Sequence, residues 1–438
     1  MNFEKSDELR KKSHACIPGG AHTYSKGDDQ FPKLSPGFIC KGEGAYVWDV
    51  DGNKFIDWGM GLRSTTLGHG YKRVVDAVLE QISFGANFTR PSHLEVEFAE
   101  LLVNIIPCAD MVKFAKNGST VTTAAVKLSR AYTGRDLVAI CADHAFYSYD
   151  DWFIGSTVMD AGVPQAIKDL TVKFNYNDIE SVENLFKKYP NEISCVILEP
   201  ATEIEPKNNF LNKLRSLCDA YGVVLIFDEM ITGFRWHIKG AQYVYNVFPD
   251  LATYGKGIAN GFSVGVLAGK KDIMNLGGIN GTDHERVFLI STTHGAENHS
   301  LAAAIASLRE LQEKNVPKYL AKIGASLRKE LNDIHKKYDL DSLLHVYGVD
   351  CRLALSVNAT DMYDMFQVKT YFLQELIGRG ILFSGYFSPS FSHTIEHVKK
   401  TVEAWDYACL QLKYSLDKKN LEDKLVGPCV KPVFRKYN

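Results

Sequence analysis

Two hydrophobic periods alternate through the middle of the chain. "DMVKFAKNGS", "DLVAICAD", "EISCVILEP" and "VVLIFDE" hold strand-length apolar runs, whereas "VTTAAVKLSRAYTG" and "NKLRSLCDAYG" carry helical spacing and close on Gly134 and Gly222. The series reads as βαβα, and strands without polar alternation indicate a parallel sheet covered by helices on both faces. Upstream, "GEGAYVWDVDGNKFIDWG" predicts a hairpin in which two aromatic-rich runs meet at Asp51, Gly52 and Asn53. Downstream, "SLAAAIASLRELQEKN" predicts a long helix, and from Val316 the pattern turns to helices and short strands of a smaller α+β unit. The expected class is α/β, with boundaries placing 1–60, 61–315 and 316–438 in separate parts.

Composition narrows the function. The chain has 438 residues, 45% of them hydrophobic, enough for one large or two ordinary domains. Lys and Arg number 50 against 52 Asp and Glu, so no basic field points to nucleic acid or an anionic membrane, and small molecules or a second copy are the expected partners. Nine cysteines without a C-x-x-C pair argue against a disulfide framework and a zinc cluster, so no metal is expected. Charges interrupt the N-terminal stretch where a signal peptide is apolar, and no run of about eighteen apolar residues occurs, from which a cytoplasmic location is expected.

Candidate chemistry gathers where the strands end. Ligands of open α/β sheets collect at the carboxyl ends of strands, and "VVLIFDEM" puts Asp228 there, with an ordinary helix-capping or loop-bonded Asp as its plainer alternative. An Asp-Glu pair after an apolar strand also suits a metal-holding nucleotide site, but that needs a G-x-x-x-x-G-K-[ST] loop and the chain has none; "GKGIANG" is one residue off a dinucleotide fingerprint. In "KFAKNGSTVTTAAVKLSR" a strand passes through Asn117, Gly118 and Ser119 into a helix, leaving free N–H groups and the positive dipole end as a seat for one phosphate. The plainer alternative is a helix cap made by Ser119 or Thr120. In "TYGKGIANGFSVG" Lys256 stands between two glycines. A phosphate seat, a strand-end acid and a lysine in a glycine-flanked loop are the attachments a pyridoxal phosphate enzyme needs: the amine binds the aldehyde and shuttles a proton, and the acid keeps the pyridine nitrogen protonated.

"LIFDEMITGFR", "PDLATYGKGIANGFSVGVLAGK", "WDVDGNKFIDW" with "LGHG", and "LSRAYTGRD" resemble the class III pyridoxal phosphate-dependent aminotransferases, specifically the glutamate-1-semialdehyde 2,1-aminomutase group, from Ile17 to about "SHTIEHV". The resemblance implies an aspartate-aminotransferase-type fold (fold type I), with a large, mostly parallel-sheet domain over 61–315 that binds pyridoxal 5'-phosphate. It also implies a smaller α+β domain over 316–438 with the arm and hairpin of 1–60 packed on it, and a homodimer with active sites at the interface. By position Lys256 resembles the Schiff-base lysine, Asp228 the pyridine partner, and Gly118 with Ser119 the phosphate-binding turn. Phe146 falls where an aromatic ring stacks on the cofactor, with core packing as its alternative. Glu199 resembles a strand-end acid near the cofactor, with a buried salt bridge as its alternative. Thr293 resembles a threonine reaching the neighbour's phosphate, and adjacent Thr292 offers the same hydroxyl.

The departures concern the substrate. Lys26 in "AHTYSKG" stands where the aminomutase has an arginine for the substrate carboxylate, and lysine lacks the planar fork. "LFSGYFSPSFSHT" has no counterpart to the aminomutase's C-terminal glutamate, and Thr120 replaces the usual glutamate after the phosphate turn. The opening "GGAHTYSKGDDQFP" resembles members associated with carbohydrate or polysaccharide pathways. His22, Tyr24, Ser25 and Lys26 then either line a substrate entrance or form an arm packed on the partner subunit. The expected function is transfer of an amino group from an amino donor to a carbonyl acceptor. The alternative is the intramolecular aminomutase, and a non-enzymatic cofactor-binding protein is disfavoured by an intact Lys256, Asp228 and phosphate turn.

Overall fold

The computed structural model describes residues 1–280 and 285–437. Contacts divide the chain into two units: Met1–Leu62, Leu67–Tyr71 and Tyr319–Arg435 form the first, Arg63–Thr66 and Lys72–Lys318 the second, with the last residues from Lys436 counted in the second. In the first unit β1 (Ile39–Glu43), β2 (Tyr46–Asp49) and β3 (Lys54–Asp57) run antiparallel. The β2–β3 turn passes through Gly52 at φ +89°, a conformation that needs no Cβ.

The second unit is built on a seven-stranded sheet in the order β4-β10-β9-β8-β7-β5-β6. Its members are β4 (Met111–Ala115), β5 (Leu137–Cys141), β6 (Thr171–Phe174), β7 (Ile193–Leu198), β8 (Val224–Asp228), β9 (Leu251–Tyr254) and β10 (Gly265–Gly269). β10 runs antiparallel to both β4 and β9, and the other neighbouring pairs are parallel. β4, β7, β8 and β9 therefore end on the same side of the sheet. β7 and β8 are buried at every position, which is why their sequences are apolar without alternation. On one face Leu198, Phe210, Leu214, Cys218, Leu225 and Phe227 pack into a common core, each large side chain contributing roughly 1.5–3 kcal/mol. β9 has only four residues, so "PDLATY" gives little strand signal, yet it fills the central place between β8 and β10.

The first unit resumes with β11 (Leu344–Val349), β12 (Arg352–Val357), β13 (Ile381–Leu382) and β14 (Tyr386–Phe387). β13 adds in parallel to β3, while β11, β12 and β14 form a three-stranded sheet. Trp58 is buried in this unit's core, where its indole N–H donates to Thr401 Oγ1 at 2.9 Å. Among the described residues no helix is long and apolar enough to cross a membrane.

Candidate functional site

Four strand ends converge on one edge of the second unit. β4 runs into 117–119, β7 into Glu199, β8 ends on Asp228, and β9 leads through Gly255 to Lys256. Because β8 is buried on both faces, the residue that ends it inherits the burial, and Asp228 is only 3% exposed. Its Oδ1 accepts the Met230 N–H at 3.0 Å and the Thr253 hydroxyl at 3.2 Å. Among the described residues Oδ2 takes no hydrogen bond. Burial lifts this carboxyl to about 7; the Lys256 ammonium pulls it down and the Glu199 carboxylate pushes it further up, so Asp228 senses both charges.

Met230 ties the lysine loop to the helix start. A Cβ on Gly118 would lie 3.0 Å from its sulfur and one on Gly255 2.6 Å, so a side chain at either glycine displaces it. Gly265 is equally constrained, since its Cβ would lie 2.5 Å from the Asn117 carbonyl oxygen. Lys256 itself has φ +45° at the head of a short 3-10 turn, Lys256–Ala259. A left-handed lysine is strained and persists only where its surroundings over-determine it, a condition met most often at functional sites. Gly257 explains the second flanking glycine: its Cβ would lie 2.2 Å from Thr66 Oγ1.

The helix Gly118–Thr133 is capped by Asn117, whose Oδ1 accepts the Thr120 N–H at 3.0 Å and its hydroxyl at 3.1 Å. Neither Ser119 nor Thr120 is the cap residue, contrary to the plainer expectation. Ser119 Oγ instead accepts the Tyr149 N–H at 3.1 Å, which leaves its own hydroxyl proton to donate elsewhere. Phe146 is 47% exposed and sets its ring against Phe153 at 5.7 Å. The Glu199 N–H donates to His144 Nδ1 at 3.1 Å, and the Tyr147 hydroxyl lies 2.9 Å from the same nitrogen, which places the neutral ring's proton on Nε2. Thr293 is exposed and its carbonyl accepts from Asn87 at 3.0 Å, whereas the Thr292 hydroxyl donates to the His294 carbonyl at 2.7 Å. The structure thus brings together Gly118, Ser119, Asp228 and Lys256, with Glu199 in electrostatic reach. His22, Tyr24 and Lys26 belong to the other unit, where they are exposed along a run of 3-10 turns.

Sequence reasoning missed three supports. Thr253 holds the Asp228 carboxylate. Glu229, 1% exposed, accepts from Thr232 Oγ1 at 2.7 Å, Ala241 N at 2.8 Å and Gln242 N at 2.9 Å, which fixes the chain after Asp228 and leaves this carboxylate occupied by protein donors. Arg235, 3% exposed, donates to the Arg63 carbonyl and to Thr66 Oγ1. The adjacency of Glu229 to Asp228 was visible; its backbone partners, twelve and thirteen positions on, carry no local signal.

The residues fit pyridoxal phosphate. A buried carboxyl with one oxygen engaged and one left over suits a ring N–H, a helix start with a hydroxyl donor suits a phosphate, and a lysine in electrostatic reach of the carboxyl follows a glycine that packs on the same Met230 as Gly118.

Comparisons with known proteins bear on the family and the fold. The family model for class III aminotransferases matches residues 28–405. A glutamate-1-semialdehyde 2,1-aminomutase of Lachnoclostridium phytofermentans is 32% identical over 91% of this chain and 97% of its own. Among solved structures, the FumI protein of Sphingopyxis sp. MTA144, in its PLP internal aldimine form, superimposes with a TM-score of 0.86 at 26% identity, covering 94% of this chain and 97% of its own. An omega-transaminase from Sphaerobacter thermophilus gives 0.84 at 25% identity, covering 94% of this chain and 100% of its own.

Proposed function

Because the chain belongs to the class III aminotransferase family, we propose that it is a pyridoxal 5'-phosphate-dependent transaminase, carrying an amino group from a small-molecule donor to a carbonyl acceptor through Lys256. Asp228 carries the reading: a buried carboxyl lifted to about 7 is matched by a cationic pyridine N–H, which restores its charged form. When bound, the cofactor supplies an electron sink that stabilises a carbanion at the donor's α-carbon.

The chain's own groups do the rest. Thr253 and Met230 hold Asp228 Oδ1, so the carboxylate is oriented beforehand and Oδ2 would receive a pyridine N–H. The first-turn N–H groups at Gly118 and Ser119, with the Ser119 hydroxyl, would hold the phosphate. Lys256 Nζ would hold the cofactor's aldehyde end and would supply the base for the donor's α-proton. Phe146, half exposed, would offer a flat ring to the cofactor's face, and Glu199, just past the end of β7, is in electrostatic reach of Asp228. Thr293, exposed in one chain, serves the partner subunit's phosphate in a homodimer, and Thr292, whose hydroxyl is spent on His294, does not.

His22, Tyr24 and Lys26 favour a hydroxylated or phosphorylated carbonyl acceptor, as in carbohydrate pathways. The L. phytofermentans relative, a glutamate-1-semialdehyde 2,1-aminomutase, favours a second reading, aminomutation of glutamate 1-semialdehyde; Lys26 in place of a forked arginine speaks against it. Steady-state kinetics separates the two. A transaminase shows ping-pong behaviour with separate donor and acceptor, and turnover of glutamate 1-semialdehyde alone overturns the transfer reading in favour of the aminomutase.

A further inference from the structure

We infer that Arg63 receives the carboxylate of the amino donor, with Glu203 as its resident counter-ion, an assignment that rests on the amino-transfer reading. Met60, Gly61, Leu62 and Arg63 have φ of 43°, 60°, 58° and 70°, a full left-handed turn in which one residue alone is glycine. Each of the other three costs roughly 1–2 kcal/mol. Such strain persists where a ligand site needs the resulting side-chain placement.

The turn is fastened from below. Arg235, buried, donates Nη2 to the Arg63 carbonyl at 3.0 Å and to Thr66 Oγ1 at 3.2 Å. Thr66 Oγ1 is the atom that a Cβ on Gly257 would meet, and a Cβ on Gly261 would lie 3.4 Å from Thr65 Oγ1. Residues 63–66 therefore lie along the loop that carries Lys256. Glu203 stands four positions after Glu199, past the carboxyl end of β7. Both elements place Arg63 at the edge of the sheet where the candidate chemistry is.

Arg63 and Glu203 form an ion pair. Nη2 and Oε1 are 3.6 Å apart, beyond a hydrogen bond, with the side chains 17% and 13% exposed. Two largely buried opposite charges hold each other, because neither is well solvated alone. A guanidinium presents two edges to planar carboxylates, and its resident partner is already one. A donor carboxylate thus replaces, or joins, a group of its own chemistry without leaving Arg63 uncompensated. It also supplies the fork that Lys26 lacks.

The test uses the holoenzyme. The loss of its visible cofactor band is followed with the twenty proteinogenic L-amino acids and, for the best donor, with the amine lacking the α-carboxylate, for wild type, Arg63→Gln, Arg63→Lys and Glu203→Gln. Binding of unreactive glutarate is measured by calorimetry beside it. Arg63→Gln is expected to weaken the apparent Kd of the amino acid about 100-fold, with the saturating rate changed less than about threefold. The matched amine is unaffected, Arg63→Lys recovers part of the loss, Glu203→Gln tightens the amino acid severalfold, and glutarate binding follows the same order. An Arg63→Gln enzyme that binds the amino acid within threefold of wild type, or that loses amine and amino acid alike, overturns the assignment and leaves amino transfer standing. A cofactor band that no donor bleaches removes the transfer reading and this inference with it.

Discussion

The Asp228 carboxyl makes a pH-dependent claim that needs no substrate. Its ordinary value is 3.8 and burial lifts it to about 7. Between those values the folded apoprotein holds a proton that the unfolded chain has released, so stability falls as pH rises and the loss is complete above about pH 7. Roughly three pH units at about 1.4 kcal/mol each come to about 4 kcal/mol as an upper bound, of which about 3 kcal/mol falls between pH 5 and 8. Asp228→Asn removes the titration and keeps an oxygen for Met230 N–H and Thr253. With an unfolding entropy of about 2.1 cal/mol/K per residue, the Tm advantage of the variant should grow by about 3 °C from pH 5 to pH 8, and roughly twice that if the second unit melts alone. The assay is differential scanning calorimetry of apoprotein at fixed protein concentration, wild type beside variant. Adding pyridoxal phosphate should reverse the order at pH 8, because the ring N–H then partners wild-type Asp228 alone. A Tm difference that stays constant within about 1 °C across the range refutes the reasoning.

The remaining predictions test the supports. Gly257→Ala drives a methyl into Thr66 Oγ1 and should cost about 1–3 kcal/mol with weakened cofactor binding; Thr66→Ala should restore both, read by Tm and cofactor titration. Glu229→Ala strands the N–H groups of Ala241 and Gln242 and should lower stability by about 2–4 kcal/mol in urea unfolding, where a loss under 1 kcal/mol would contradict its role. Asn117→Ala should lose about 1 kcal/mol of helix capping and weaken pyridoxal phosphate binding more than Thr120→Ala does, measured by equilibrium dialysis.

Much of the site was legible because its chemistry sits where apolar strands stop. Asp228 and Glu199 end runs that only a doubly covered sheet explains, and Lys256 stands out between glycines that packing requires. What was hidden depends on contacts distant in sequence. Asn117, just before the helix start, is the cap, while Ser119 in the first turn accepts the Tyr149 N–H from thirty positions away. β9 is too short to announce itself, though it places both Thr253 and the lysine loop. The left-handed turn at Met60–Arg63 holds a single glycine, so no turn pattern marks it; the hydrogen bonds from Arg235 hold it instead.

The central claim is that Lys256 binds pyridoxal phosphate covalently beside Asp228. Its most direct measurement is the visible absorption spectrum of purified wild type and Lys256→Ala, each incubated with pyridoxal phosphate and then freed of excess. A visible band in wild type that the variant lacks, and that an amino donor bleaches, is the predicted result; equal spectra for the two proteins would contradict it.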